Sequence, residues 1–151
     1  MHENILMKKL LSFILALIAT GVTSSCDTLK SIPTNTTGGL FSLNGTWQLT
    51  ASSDNSAMTG TIIVVLPVLG NASVKTLANN TYCVRENDAY WKTIKPNGNG
   101  GFTLSNLVSA CNGTPVYKDG TISVVNTDKI SVTTRTSTNS ELIQAWDRVK
   151  K

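Results

Sequence analysis

The chain has 151 residues, and its 13 basic and 9 acidic residues give a net charge of +4. The basic residues are scattered along the sequence, so the composition does not indicate a nucleic-acid partner. The only histidine is His2, within the N-terminal segment. Ser-His-Asp catalysis, Cys-His catalysis and histidine-ligated metal sites are therefore excluded from the rest of the chain, and we predict neither an enzyme nor a cofactor.

Residues 1–25 have the features of an export signal. Lys8 and Lys9 precede an apolar run over residues 10–19, and small residues lead into Cys26. The run is about half the roughly 20 residues that span a bilayer, so we do not expect a membrane-spanning anchor.

The segment resembles a bacterial lipoprotein signal, in which the cysteine becomes the acylated first residue of the mature chain. This resemblance implies lipidation of Cys26 and anchoring to a membrane of the cell envelope, where we expect the outer membrane. The alternative is ordinary cleavage that leaves Cys26 as a free thiol.

Residues 26–42 are predicted to be the lipidated N-terminus and a flexible tether. Ser, Thr, Asn, Pro and Gly dominate this stretch, and such a composition disfavours a packed core. A flexible coil of about 16 residues spans roughly 20–24 Å on average. The remaining residues, 43–151, are long enough for one domain with a core of its own.

The sequence from residue 43 onward predicts strands. Residues 43–51 alternate strictly, with Trp47 and Leu49 on the apolar face, which indicates a half-buried strand. A β-branched run predicts the next strand over residues 59–66, and Pro67 should end its pairing. The other predicted strands span residues 72–78, 81–85, 89–95, 101–108, 116–125, 129–136 and 141–149.

Turn-forming sequences separate these segments, most clearly at residues 96–101, and no long helical period follows the signal. The pattern predicts an all-β domain, a small antiparallel up-and-down barrel of about eight strands. The rival is an immunoglobulin-type sandwich with a tryptophan between two cysteines. Trp91 does lie between Cys83 and Cys111, but the spacing is much too short for that fold.

Two cysteines remain after Cys26. Cys83 and Cys111 form an even pair in an oxidising compartment, so we predict a disulfide between them. In the chain-entropy account it would contribute roughly 3.5 kcal/mol. The alternative is two buried thiols that never meet. Two cysteines without histidine are a poor zinc ligand set, so no metal site is predicted.

The ends of the domain carry a second resemblance. The first strand opens with Gly45 and Trp47, and the last strand closes with Trp146 and Arg148. This layout resembles the lipocalin-like domains of Bacteroidetes lipoproteins. The resemblance implies that Gly45, Trp47 and Arg148 pack together and close the base of the barrel. The guanidinium would stack on the indole face, which is worth about 0.5–2 kcal/mol.

Two functional hypotheses follow for a membrane-anchored lipoprotein of this kind. In the first, the barrel binds a small apolar ligand, since eight strands can enclose one, and Trp47, Leu49 and Ile130 are the candidate lining residues. In the second, these side chains fill a core without a ligand. The protein then has a structural or interaction role with a protein partner in the envelope.

Two further groups have a functional and a structural interpretation. Tyr90, Trp91 and Tyr117 are amphipathic and either form a contact patch or contribute to packing. Glu86 and Asp88 are the only close carboxylate pair, and paired carboxylates can divide acid and base roles. The polar sequence around them indicates a turn, so we predict solvated side chains there.

Overall fold

The computed structural model describes residues 34–35 and 39–150 of the chain. The predicted signal over residues 1–25, the predicted lipidation of Cys26 and most of the predicted tether lie outside these residues. Within the described part of the chain, no helix has both the length and the apolar character needed to cross a bilayer.

The predicted barrel is confirmed. Eight antiparallel strands form a closed up-and-down barrel, in which each strand pairs with its neighbours in sequence and the last strand pairs with the first. Closure leaves no free sheet edge and excludes the sandwich alternative. Two further strands, β1 (Thr34–Asn35) and β2 (Gly39–Leu40), pair only with each other. The barrel strands are β3 (Gly45–Ser52), β4 (Ile62–Leu66), β5 (Asn71–Thr76), β6 (Ala89–Pro96), β7 (Phe102–Ser109), β8 (Val116–Asn126), β9 (Lys129–Arg135) and β10 (Glu141–Arg148).

Alternation along the strands places one set of side chains inside the barrel. In β3 the buried residues are Trp47 and Leu49, and in β4 they are Ile63 and Val65. Successive strand residues point to opposite faces, so the same period that predicts these strands also fixes which residues line the interior.

The strand predicted over residues 81–85 is wrong. This segment forms a turn and irregular backbone, and Cys83 has a left-handed φ of 57°. The side chain of Asn80 replaces a pairing partner: its Oδ1 accepts from the Val84 amide at 3.0 Å, and its Nδ2 donates to the Val84 carbonyl at 2.8 Å. Such local bonds compete with a strand ladder.

The strand predicted over residues 59–66 is shorter than expected. Residues 53–60 form turns in which Asn55, Ser56 and Met58 have positive φ, so pairing in β4 begins only at Ile62. Its other end is as predicted, because Pro67 begins a short 3₁₀ helix, η1 (Pro67–Leu69).

The up-and-down topology sorts the loops into two groups. We call one the arginine end, where Arg148 lies and where the chain enters the barrel from residue 41; its loops are residues 67–70, 97–101 and 127–128. We call the other the disulfide end; its loops are residues 53–61, 77–88, 110–115 and 136–140.

Candidate functional site

The three predicted ligand-lining residues lie in the packed interior. Trp47 and Leu49 have no exposed surface, and Ile130 is 1% exposed. A side chain that borders a water-sized void keeps some accessible surface, so Trp47 and Leu49 border no such void and Ile130 is almost completely enclosed. A ligand at this place would have to displace core side chains.

Indole rings occupy much of that interior. Trp91 and Trp146 meet edge to face, with ring centroids 5.0 Å apart, and the Tyr90 ring meets Trp146 in the same way at 5.5 Å. Edge-to-face contacts are a favoured arrangement of aromatic pairs. Trp47, Trp91 and Trp146 are all fully buried. The volume that a ligand-carrying barrel leaves open is therefore taken by large side chains here.

Of the two interpretations of Tyr90, Trp91 and Tyr117, a contact patch or packing, the structure shows packing. Tyr90 and Trp91 are both fully buried although they are adjacent in sequence. Pairing between β5 and β6 slips by one residue here, and such a bulge lets two consecutive side chains face inward. Tyr117 is half-buried and donates its hydroxyl to the Ala89 carbonyl at 2.8 Å, so it also contributes to packing.

Polar side chains inside the barrel largely pair with one another. The Trp91 indole N–H donates to Asn106 Oδ1 at 2.8 Å, and Gln144 Nε2 donates to the Tyr90 hydroxyl at 3.3 Å. Burial raises the pKa of Tyr90 well above its usual value, and the hydrogen bond from Gln144 offsets this in part. Tyr90 is therefore a neutral phenol at physiological pH. The alternation pattern gave no signal for Asn106 and Gln144, because polar residues are expected to face solvent.

The structure brings Gly45, Trp47 and Arg148 together at the arginine end. The Arg148 guanidinium carbon lies 4.2 Å from the centre of the Trp47 ring. Gly45 has a φ of 135°, and a Cβ there would lie 2.8 Å from Arg148 Nη1. Only glycine combines that backbone conformation with the space that the guanidinium needs.

Arg148, the last residue of β10, also bonds the backbone carbonyls of two other segments. Its Nη1 and Nη2 donate to the carbonyls of Asn44 and Ser42 at 2.8 and 2.6 Å, and its Nε donates to the Thr127 carbonyl at 3.1 Å. The guanidinium fork suits several acceptors at once. One side chain thus joins the entering chain, the turn between β8 and β9, and the end of β10.

The predicted disulfide between Cys83 and Cys111 is confirmed. It joins the loop over residues 77–88 to the loop over 110–115, at the opposite end of the barrel from Arg148. A backbone hydrogen bond from the Ala110 amide to the Tyr82 carbonyl, at 2.7 Å, reinforces the same junction.

The disulfide end also has an open hollow of about 300 Å³, lined in part by Asp54, Tyr82 and Ser137. The Tyr82 hydroxyl donates to Asp54 Oδ2 at 3.1 Å. Burial is the largest cause that raises the pKa of Tyr82, and the negative charge of Asp54 adds to it. The phenol stays protonated at neutral pH, so Tyr82 is a hydrogen-bond donor at this hollow.

The carboxylate pair lies where a polar turn was predicted. Glu86 and Asp88 are exposed, and Asp88 Oδ2 accepts a hydrogen bond from the Arg85 amide at 2.9 Å. In the part of the chain that the structure describes, no three His, Cys, Asp or Glu side chains cluster closely enough to hold a metal ion.

Comparison with known protein families, characterised proteins and solved structures finds no match for this chain.

Proposed function

We propose that this chain is a non-enzymatic lipoprotein of the cell envelope. In this proposal, acylated Cys26 holds it at the outer membrane, and its lipocalin-like barrel acts through its surface on a protein partner. The observation that carries the surface role is the filled interior, where Trp47, Trp91 and Trp146 have no exposed surface. A filled barrel is a rigid scaffold, so other molecules bind at its ends and loops.

The support for the anchor comes from the sequence. A basic start at Lys8 and Lys9, a short apolar run and small residues lead directly to Cys26. The cysteine count fits this assignment. Cys83 and Cys111 form a disulfide with each other, so neither of them pairs with Cys26. A bacterial lipoprotein carries two or three acyl chains, and two or more chains suffice for stable attachment to a membrane.

The proposed resemblance to lipocalin-like domains draws support from the arginine end. The contact of Arg148 with Trp47, and the position of Gly45 beneath the guanidinium, match the arrangement that the resemblance implies. Carriage of a small apolar ligand is less well supported. Its lining residues would be Trp47, Leu49 and Ile130, which are already part of the packed hydrophobic core.

Metabolic labelling with radioactive palmitate in a bacterial host tests the anchor. We expect label on the wild-type chain and its recovery in the membrane fraction. The matched control is Cys26→Ser, which should lose the label and leave the membrane while the barrel still folds. Equal labelling of both chains would contradict lipidation at Cys26.

Crosslinking in intact cells then tests the surface role, and recovery of no partner protein would count against it.

A further inference from the structure

Exposed apolar side chains are concentrated at the arginine end. In the described part of the chain, the strongest exposure is in η1 and at its borders, where Val68 is 99% and Leu69 67% exposed and Leu66 also faces solvent. Val125 and Val149 are exposed at the same end of the barrel. The disulfide end has only two exposed large apolar side chains in the described residues, Val116 and Ile143.

The turn between β4 and β5 does not need these side chains for its own structure. Pro67 begins η1, and Gly70, with a left-handed φ of 66°, ends it through a hydrogen bond from its amide to the Pro67 carbonyl. No residue of η1 is buried, so Val68 and Leu69 contribute nothing to the core. Loop tips with no packing role are usually polar, and an apolar one indicates a contact with something else.

The exposed residues surround one mouth of the barrel. In the strand order, the turn that follows β4 lies across the mouth from the turn that follows β8. Leu66, Val68 and Leu69 are therefore on one side of the mouth and Val125 is on the other. A flat surface laid against this end could contact both sides at once.

Charge at this end favours an anionic surface. Lysines and arginines outnumber carboxylates there, with Lys95, Lys129, Arg148 and Lys150 against Asp128 and Asp147. Lys129 pairs with Asp147 and Lys150 with Asp128, so Lys95 and Arg148 supply the excess positive charge. In the half of the barrel nearer the disulfide end the two signs balance, with Lys75, Arg85, Lys92, Lys118 and Arg135 against Asp54, Glu86, Asp88, Asp119 and Glu141. Cations beside an apolar tip are the arrangement that surface-binding segments use on anionic membranes.

The position of Cys26 in the chain indicates that the surface contacted by this end is a lipid bilayer. Cys26 lies 15 positions before Phe41, where the chain enters the barrel at the arginine end. Even a fully extended chain of that length reaches roughly 50 Å. If Cys26 carries lipid, the arginine end is the end of the barrel to which the anchored segment leads, and its apolar mouth is within reach of the bilayer that receives the acyl chains.

The geometry points to the arginine end as a membrane-contact surface, with Val68 and Leu69 entering the headgroup region of an anionic bilayer. This inference rests on the proposed lipid anchor for its location. It makes the barrel a body with a fixed orientation, in which the disulfide end faces away from the membrane.

Tryptophan quenching by brominated lipids tests the contact. The full chain is purified from membranes as wild type, as Val68→Trp and as Thr138→Trp, the last placing the new indole in an exposed loop of the disulfide end. Each protein is incorporated into vesicles of phosphatidylethanolamine and phosphatidylglycerol with brominated acyl chains. The three native tryptophans are fully buried and give the same background in all three proteins.

We expect the additional emission of Val68→Trp to be quenched at least twofold more than that of Thr138→Trp. Equal quenching of the two variants would overturn the proposed orientation. Leu69→Trp is a second reporter should Val68→Trp fold poorly, as judged by near-ultraviolet circular dichroism.

The intact mass of the same preparations separates this inference from the anchor. Acyl mass on Cys26 with equal quenching would leave the anchor standing and refute the membrane contact. Unmodified Cys26 with strong quenching of Val68→Trp, after addition of the protein to vesicles, would refute the anchor and support the contact. Unmodified Cys26 with equal quenching would refute both.

Discussion

The two ends of the barrel are closed by different means. At the arginine end, short loops and the entering chain are joined by one guanidinium that bonds three carbonyls and stacks on Trp47. At the disulfide end, the longer loops over residues 53–61 and 77–88 cover the mouth, and a covalent bond ties one of them down. The loop over residues 53–61 has no covalent bond and is joined to the loop over residues 77–88 by the Met58 amide, which donates to the Asn79 carbonyl at 2.9 Å. One end is thus closed by a single side chain over short loops, and the other by long loops bonded to one another.

The largest expected effect is at the disulfide end. Replacing both Cys83 and Cys111 by alanine removes the crosslink and restores entropy to the unfolded chain. We expect the free energy of unfolding to fall by about 3–4 kcal/mol. Urea denaturation of the oxidised wild type and the double variant measures this difference. A loss below about 1 kcal/mol would mean that the loops hold that end without the covalent bond.

A smaller effect is expected at the arginine end. Arg148→Met keeps an apolar chain over Trp47 but loses the carbonyl hydrogen bonds, and we expect a loss of about 2–3 kcal/mol by the same denaturation measurement. Arg148→Lys should recover less than half of it, because an ammonium cannot reproduce the fork.

The matched control at that end is Lys150→Met. Lys150 Nζ lies 3.0 Å from Asp128 Oδ2 in an ion pair whose lysine side chain is 77% exposed. Exposed pairs contribute little, so this variant should lose less than about 0.5 kcal/mol. If Lys150→Met and Arg148→Met were equally destabilised, charge at this end would matter and the specific contacts of Arg148 would not.

The third prediction concerns alkaline pH. Burial raises the pKa of Tyr90 above the usual tyrosine value near 10, so the folded chain retains a proton that the unfolded chain loses. The stabilising contribution is present below pH 10 and is lost as the pH rises further. We expect about 1–2 kcal/mol to be lost through Tyr90 between pH 9.5 and 11.5.

Urea unfolding over this range compares the wild type with Tyr90→Phe. The variant should show the shallower decline, because it has no proton to release at this position. Parallel pH curves for the two chains would refute this role for Tyr90.

Much of the fold could be predicted from the sequence because it depends on local patterns. The alternation around Trp47 marked β3, Pro67 marked the end of β4, and the two cysteines that remain after Cys26 marked the disulfide. The strand predicted over residues 81–85 was wrong, and the alternation of polar and apolar residues could not have shown why. Asn80 folds that segment back on itself through hydrogen bonds of its side chain.

The interior was less predictable than the strands. Tyr90 and Trp91 both face inward only because β5 and β6 pair with a bulge, and register shifts between strands depend on the assembled sheet. Asn106 and Gln144 are buried because partners from other strands accept or donate to them. The exposed apolar residues of η1 have no periodic pattern, and they become significant only when the barrel places them beside the entering chain.

The filled interior is tested most directly by native mass spectrometry of the full-length product extracted from membranes in mild detergent. The expected mass is that of residues 26–151 with the disulfide formed and two or three acyl chains attached, and nothing else. A reproducible additional mass of a few hundred daltons, retained by the folded protein and released on denaturation, would show a bound ligand and contradict the filled barrel.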